Sequence, residues 1–487
     1  MAICYLLLVS GLAVLGLHKT WMILLWWRGR QTKPADPELR SQDLPAVTVQ
    51  LPIYNERFVV ADLIRATAKL DYPHDRLEIQ ILDDSTDDTP DVVAGTLAEL
   101  PSDLRVRHIR RDDRTGYKAG ALEHGLHEAT GELIAVFDAD FIPPTDFLRR
   151  AVPCFADERV GLVQARWDHT NSESSVLTRV QALLLDGHFA IEQRARANNG
   201  CFFNFNGTAG LFRRQCIEDA GGWQHDTLTE DMDLSYRAQL KGWRFLYRSD
   251  LVCPAELPMD MNGFLTQQHR WAKGSIQTGR KLLGRIFAAR LPLRTKIESV
   301  FHLLGNLAFP MLLALILVAM PLQLLRWLGG TPTHGFYEWV EAAPLVLATL
   351  SVFAYYGLSQ VTLSRFTAGT LLRLPVILAL GAGVSLNNTL AVCSALRRSP
   401  GEFLRTPKRV TPEDATRDTY NSPRGLLPLF EIGLGLWAAT TSSLAILQGQ
   451  WSSAGFHGLF ATGLVWVGLR SIQANRRGQA ALSPATP

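Results

Sequence analysis

The sequence predicts an α/β domain with a parallel sheet, set among membrane helices. Three observations lead there. Strand-like runs alternate with helical spacing from residue 47 onward, acidic motifs stand at the ends of two of those strands, and long runs almost free of charge lie on both sides. With 487 residues, 47% of them hydrophobic and 20% charged, the chain is too polar for a pure membrane bundle and too apolar in places for a soluble enzyme.

The apolar runs cover 3–27, 300–325, 342–363, 374–396, 426–447 and 454–469, and a membrane helix needs about 20 such residues. The first run lacks a basic leading region and a small-residue cleavage site, and it ends in Trp26, Trp27, Arg28 and Arg30. It reads as an uncleaved anchor over 1–30, with Lys19 as its one misplaced charge. The basic end puts the N-terminus outside and the domain that follows in the cytosol. A net charge of +3 points to no nucleic-acid partner, and six cysteines without CxxC spacing suggest neither a zinc site nor a disulfide framework. The basic cluster Arg280, Lys281, Arg285, Arg290, Arg294 and Lys296 reads equally as a patch facing anionic lipid or as a solvated helix face.

After a Pro-rich linker, 47–53 is β-rich, 57–70 has helical spacing, and 77–82, 106–109 and 132–137 are further strands. Such a βαβα pattern implies a parallel sheet covered by helices on both faces, with ligands at the carboxyl ends of the strands. The stretch 174–198 is helical again. In NFNGTAGLF, 204–212, small residues between polar ones let backbone approach a ligand.

Four motifs carry the chemistry. In DAD, Asp138 and Asp140 share one face of a strand end. Two such carboxylates repel unless a cation lies between them, and hard oxygen donors suit Mg2+ or Mn2+ bridging a diphosphate. An Asp-rich turn is the plainer alternative. In DDSTDD, Asp83 and Asp84 end a strand where they can accept from a nucleobase or ribose, while Asp87 and Asp88 cap the next helix ahead of Pro90. Tyr54 and Glu56, after the first strand, offer an aromatic and an acid to the base. In GYKAGAL, Lys118 either meets a phosphate at a helix N-terminus or is an ordinary surface lysine. In TED, Thr229 caps a helix opening with Glu230 and Asp231, and Asp231 can take the proton from an attacking hydroxyl. In QQHRW, Gln267, Arg270 and Trp271 fall at i, i+3 and i+4 on one helical face, where arginine can offset a departing diphosphate and tryptophan can stack on a sugar. An interfacial Trp with a snorkelling Arg competes with that reading.

YKAGAL, FDADF, TEDMDL and QQHRW, in this order over 47–271, resemble the processive, inverting family 2 glycosyltransferases embedded in membranes. These include cellulose synthase catalytic subunits and, still more similar, plant cellulose-synthase-like mannan synthases and their bacterial relatives. The resemblance implies a GT-A, Rossmann-like catalytic domain over 45–255, in the cytosol. It also implies interfacial helices over 256–298, a membrane region over 299–470 and a cytosolic tail over 471–487. It gives Asp83 and Tyr54 to uridine or guanosine, Lys118 to phosphate, and Asp140 to the metal with Asp138 on the nucleotide sugar. Asp231 is then the base, with Glu230 beside it, and Gln267, Arg270 and Trp271 hold acceptor or diphosphate. In EFLRTPKRV, Phe403, Thr406 and Lys408 look like the gating loop of cellulose synthase, here with Arg405 in place of a small apolar residue. A cytosolic loop over 397–423 requires 374–396 to be interfacial or re-entrant, which leaves five spans.

NGTAG replaces the FFCGS acceptor motif of cellulose synthase, the tail is too short for a cyclic-di-GMP receptor domain, and a smaller relative is expected. The leading expectation is a polymerase of the bacterial inner membrane. It would use UDP-glucose or GDP-mannose to extend a β-linked polysaccharide and pass it across the bilayer, possible accessory export subunits assisting. A transferase adding one glucose to a ceramide or diacylglycerol lipid is the alternative, ahead of a non-catalytic export subunit. Glu431, His302, Asn306 and Trp437 are candidates to line the polymer's path, unless Glu431 pairs with Arg424 at the cytosolic interface.

Overall fold

The computed structural model describes residues 1–29, 44–329, 336–397 and 424–482. Its sheet has seven strands among the described residues: β1 (Val47–Ile53), β2 (Leu77–Asp83), β3 (Arg105–Arg110), β4 (Leu133–Val136), β5 (Val160–His169), β6 (Gly210–Arg213) and β7 (Arg244–Ala255), in the order β3-β2-β1-β4-β6-β5-β7. The four strands read from the sequence are β1 to β4, and they pair in parallel as expected. The sheet as a whole is mixed, which corrects the expectation of a purely parallel one: β6 runs antiparallel to both β4 and β5.

Strands β1 and β2 are covered on both faces, so nearly all of their residues are buried, polar ones included. Those polar residues match across the ladder. Thr48 stands opposite Glu78 and donates to its Oε2 at 2.9 Å, and Gln50 stands opposite Gln80 and donates to its Oε1 at 3.0 Å. Glu78 also accepts from the Thr130 backbone and hydroxyl at the entry to β4. A slip by one residue would strand each of these groups without its partner, so the polar ladder fixes the register where apolar packing alone would tolerate a shift.

Around the sheet, helices Val60–Ala68 and Thr89–Leu97 cover one flank and Tyr117–Glu128 and Glu230–Leu240 the other. The helix Thr89–Leu97 carries Pro90 in its first turn, and its first N–H is capped by Asp87 Oδ1 at 3.0 Å, whereas Asp88 turns to Arg57. Thr229, expected to cap Glu230–Leu240, makes no side-chain cap; its hydroxyl meets Thr278 Oγ1 at 3.2 Å on the long helix Met261–Ala288. A tertiary contact has displaced the local one.

Among the described residues four helices are long and apolar enough to cross a membrane: Ala2–Gly29, Leu293–Gly329, Val340–Thr362 and Leu427–Leu447. The run 374–396 is a bent pair, Ala368–Gly383 and Ser385–Leu396, meeting at 46°. It is not one straight helix. Run 454–469 lies in helix Trp451–Leu482, which packs along Leu427–Leu447 but is not among the four. Of the five spans expected from the sequence, four pass by length and composition among the described residues, and the bent pair would make a fifth if it crosses as one span. Of the basic cluster, Arg280, Lys281, Arg294 and Lys296 make protein contacts, to Ala395, to Asp226 and Asp233, to Asn199 and to Phe287 respectively.

The helix Trp451–Leu482 crosses the bent pair at glycines. A Cβ on Gly463 would stand 1.8 Å from the Ala379 carbonyl oxygen, and one on Gly383 2.5 Å from Val467. Small residues let helix backbones approach in a bilayer, where no hydrophobic force drives them together. Gly463→Val should therefore destabilise the detergent-solubilised protein by about 1–3 kcal/mol, read as a lowered thermal transition. Gly381→Ala, whose Cβ would meet nothing within 4 Å, should leave the transition unchanged.

Candidate active site

One pocket opens at the carboxyl ends of β1 and β4. Its walls carry Tyr54 and Glu56 after β1, Asp138 and Asp140 after β4, Lys118, the loop at Asn206 and Gly207, Glu230 and Asp231, and Gln267, Arg270 and Trp271. Every described candidate but one is thus brought to a single cavity. The exception is Asp83, which is 1% exposed at the end of β2 and accepts from His108 Nε2 and the Ser85 N–H, each at 2.9 Å. Burial would raise its pKa, but the hydrogen bonds from His108 and Ser85 prevail and lower it. Asp84 lines the pocket instead and is held by Arg111. Phe403, Thr406 and Lys408 lie outside the described residues.

Lys118 is no surface lysine. Its ammonium donates to Asp138 Oδ1 and, at 2.8 Å, to the Gly207 carbonyl, and lies 4.0 Å from Glu230 Oε1. Burial works against the charged form, yet Asp138, Glu230 and Asp231 outweigh it and the pKa is raised. Gly207 has φ +85°, and a Cβ there would lie 3.2 Å from Asp231 Oδ2 and 3.5 Å from Lys118 Nζ. Both the left-handed backbone and the close approach require glycine. Asp231 sits on the first turn of its helix and accepts from the Met232 N–H at 2.7 Å. Burial first, and the Glu230 charge second, push its pKa up to about 7 against the pull of Lys118 and Arg270. A carboxylate in that range is matched to proton transfer near neutral pH.

On the opposite wall Arg114 lies flat on the Tyr54 ring, 3.3 Å from its centroid, so an arginine extends the aromatic platform that the sequence pointed to. Asn55, at φ 56°, uses its side-chain oxygen to accept from the backbone of Thr86 and Asp87, joining the ends of β1 and β2 into one rim. Asn tolerates this conformation better than most residues.

Asp138 and Asp140 suit a hard divalent cation. Among the described residues no cluster of three or more His, Cys, Asp or Glu forms a closed metal cage. Two carboxylates on an open pocket are the set by which Mg2+ or Mn2+ is held when substrate phosphates complete the shell. The residues fit that group.

Trp167 and His169 also line the pocket and were not singled out from the sequence, because β5 was not read as a strand, whereas Asn206 lies in the 204–212 segment that the sequence pointed to. Burial, against the pull of Asp168, pushes the His169 pKa down to about 4, so it is neutral here. The candidates for a polymer path are engaged within the protein. Glu431 pairs with Arg424 at 2.9 Å, His302 Nδ1 meets Tyr236 at 2.8 Å, Asn306 donates to Ser275 at 2.7 Å and Trp437 to the Ile316 carbonyl at 3.1 Å.

Residues 45–274 match the family model described as "Glycosyltransferase like family 2". The chain is similar to glucomannan 4-beta-mannosyltransferase 2 of Arabidopsis thaliana, 45% identical over 257 residues, covering 52% of this chain and 48% of that protein. It is also similar to glucomannan 4-beta-mannosyltransferase 1 of Oryza sativa subsp. japonica, 42% identical over 277 residues, covering 56% and 53%. The chain thus spans about half the length of these relatives. Among solved structures, a mannosyltransferase from Pyrobaculum calidifontis in complex with GDP-Man and Mn2+ superposes with a TM-score of 0.54 at 23% identity, over 80% of this chain and 100% of that one. That likeness concerns the fold. The mixed sheet, the DAD strand end and the matched segment agree: residues 45–274 are similar to the glycosyltransferase family 2 model and have a fold of GT-A type, in a chain with several helices of membrane-spanning character.

Proposed function

We propose that the protein transfers a hexose, mannose from GDP-mannose before glucose from UDP-glucose, with inversion, onto a β-linked polysaccharide acceptor at the cytosolic side of a membrane. The observation that carries this reading is the meeting of Asp231, Lys118, the DAD pair and Arg270 around one cavity. Mannose is preferred because the relatives are glucomannan mannosyltransferases.

In the reaction, Asp231 takes the proton from an acceptor hydroxyl as its oxygen bonds to the sugar C1. The bond from C1 to the β-phosphate oxygen breaks, and its electron pair leaves with the nucleoside diphosphate. Arg270 supplies charge to that leaving group, Lys118 keeps Asp138 and the Gly207 loop in place, and the Trp271 ring offers a stacking surface to the acceptor sugar. Mg2+ or Mn2+ held by Asp138 and Asp140 would neutralise diphosphate charge.

Labelled GDP-mannose and UDP-glucose, offered to the purified protein in lipid, test this directly. The expected product is a water-soluble, alkali-resistant β-linked polymer, formed from GDP-mannose in preference. A lipid-soluble product carrying one sugar would overturn the polysaccharide reading. Asp231→Asn should abolish transfer while leaving GDP-mannose affinity nearly unchanged, since a base acts only in the transition state. Turnover above about a tenth of wild type would remove Asp231 from that role.

The raised carboxyl also sets a pH dependence. Asp231 works ionised, so kcat/KM should fall as pH drops through its pKa, about 7 in the free enzyme. Glu230 is one cause of the elevation, and Glu230→Gln should shift that acidic limb to lower pH. A limb that stays in place or rises would show that the neighbouring charge does not act on Asp231.

A further inference from the structure

The helix after β5 is continuous from Val176 to Asn198, but its hydrogen-bond ladder turns from α to π between His188 and Gln193. Single π turns inside α-helices recur at functional sites because they re-aim side chains. This one lies where two membrane helices press on the catalytic domain. Gly187, just before it, has no room for a side chain, since a Cβ would lie 2.6 Å from the rings of Tyr355 and Tyr356.

Within the π turn His188 and Glu192 face each other, Nδ1 to Oε2 at 3.2 Å. His188 Nε2 reaches Asn206 Oδ1 at 3.1 Å, and Asn206 lines the pocket next to Gly207, which abuts Lys118 and Asp231. On its other side Glu192 receives the Lys19 ammonium from the anchor helix, and Lys19 Nζ also stands 4.6 Å from the Tyr355 ring centroid. Arg196 lies 3.5 Å from Glu192 and 3.6 Å from Glu298, and His18, beside Lys19, meets Glu298 at 3.0 Å. Three contacts therefore lead from the membrane anchor to the pocket wall.

Glu192, Arg196 and Glu298 are 8%, 2% and 0% exposed. Burial alone would raise the Glu192 carboxyl, but Lys19, Arg196 and His188 hold it well below the usual carboxylate range. An ionised Glu192 and the Asn206 amide oxygen both only accept, so in these two contacts His188 donates from Nδ1 to Glu192 and from Nε2 to Asn206. An anchor needed only to hold the protein in a bilayer would gain from leucine at position 19, because desolvating an ion pair offsets most of its attraction. A charge within a membrane helix is costly and marks function more often than packing.

We propose that Lys19 is a positioning residue for sugar transfer: through Glu192 and His188 it sets Asn206, and hence the Gly207 loop, against Lys118 and Asp231. The anchor helix is then a part of the catalytic apparatus as well as a tether. This rests on the transferase reading above.

The test uses the full chain in lipid nanodiscs, with kcat for transfer from GDP-mannose and affinity for GDP with Mn2+ measured separately. Lys19→Met should lower kcat about 10- to 100-fold, as displacement of a positioned group by an ångström does, with GDP affinity within about twofold of wild type. Lys19→Arg should restore most of the rate. His188→Gln should show the same loss, and the double variant should be no worse than either single one, as expected of residues acting in series. Wild-type kcat in Lys19→Met, or losses that multiply in the double variant, would overturn the proposal. So would a loss that follows a lowered thermal transition and is not rescued by arginine. Should Lys19→Met fail to fold, Lys19→Met with Glu192→Gln removes the uncompensated charge and should still show the low kcat; a normal rate there would overturn the proposal equally. A wild-type protein that transfers no sugar from any nucleotide donor would overturn the transferase reading itself, and the proposal with it.

Discussion

Everything in the pocket depends on the buried ammonium of Lys118. Three elements bring acidic groups or a carbonyl oxygen to one place, the end of β4, the loop at Gly207 and the first turn of Glu230–Leu240, and the first turn of Tyr117–Glu128 brings the ammonium. Carboxylates crowded out of water would neutralise or drive the segments apart without a cation among them. Lys118 is that cation. Gly207 beside it has φ +85°, and a Cβ there would press on Asp231 Oδ2 at 3.2 Å. With the Met232 N–H ahead of it and Arg270 behind it, Lys118 holds the Asp231 carboxyl down against its burial and the adjacent Glu230.

The second organising feature is the helix Met261–Ala288, which belongs to both halves of the molecule. Its Gln267, Arg270 and Trp271 close the pocket, while the same helix packs on the bent pair through Asn387, which donates to the Leu265 carbonyl at 3.0 Å. Asn387 accepts from Arg424 at 3.1 Å, and Arg424 is neutralised by buried Glu431. Of the residues the sequence offered as a polymer path, Glu431 is held through Arg424 in this chain of contacts, and His302 and Asn306 meet Tyr236 and Ser275. Such pairing satisfies polar groups that lie away from water.

The legible parts of the fold were those where local pattern and final structure obey the same rule. β1, β2 and β4 are apolar runs because both faces are buried, and Gln267, Arg270 and Trp271 share a face because helical spacing requires it. β6 is four residues long and exists through its antiparallel pairing with β4 and β5, a long-range event that no local period encodes. Asp83 and Asp84 were indistinguishable because successive strand residues face opposite ways, and which of them meets the pocket depends on where β2 ends. Thr229 had the residue type and position of a cap, but Thr278 lay nearer to its hydroxyl. The π turn at His188 left no mark in the sequence, although the misplaced charge of Lys19 was a sign of what it meets.

Lys118 stabilises the ionised form of the Asp231 carboxyl. An isotope-edited infrared titration of the Asp231 carboxyl in Lys118→Met measures this without requiring turnover. Removing a cation that stabilises the carboxylate should move the titration midpoint above that of the wild-type protein. A midpoint that is unchanged or lower would contradict the account.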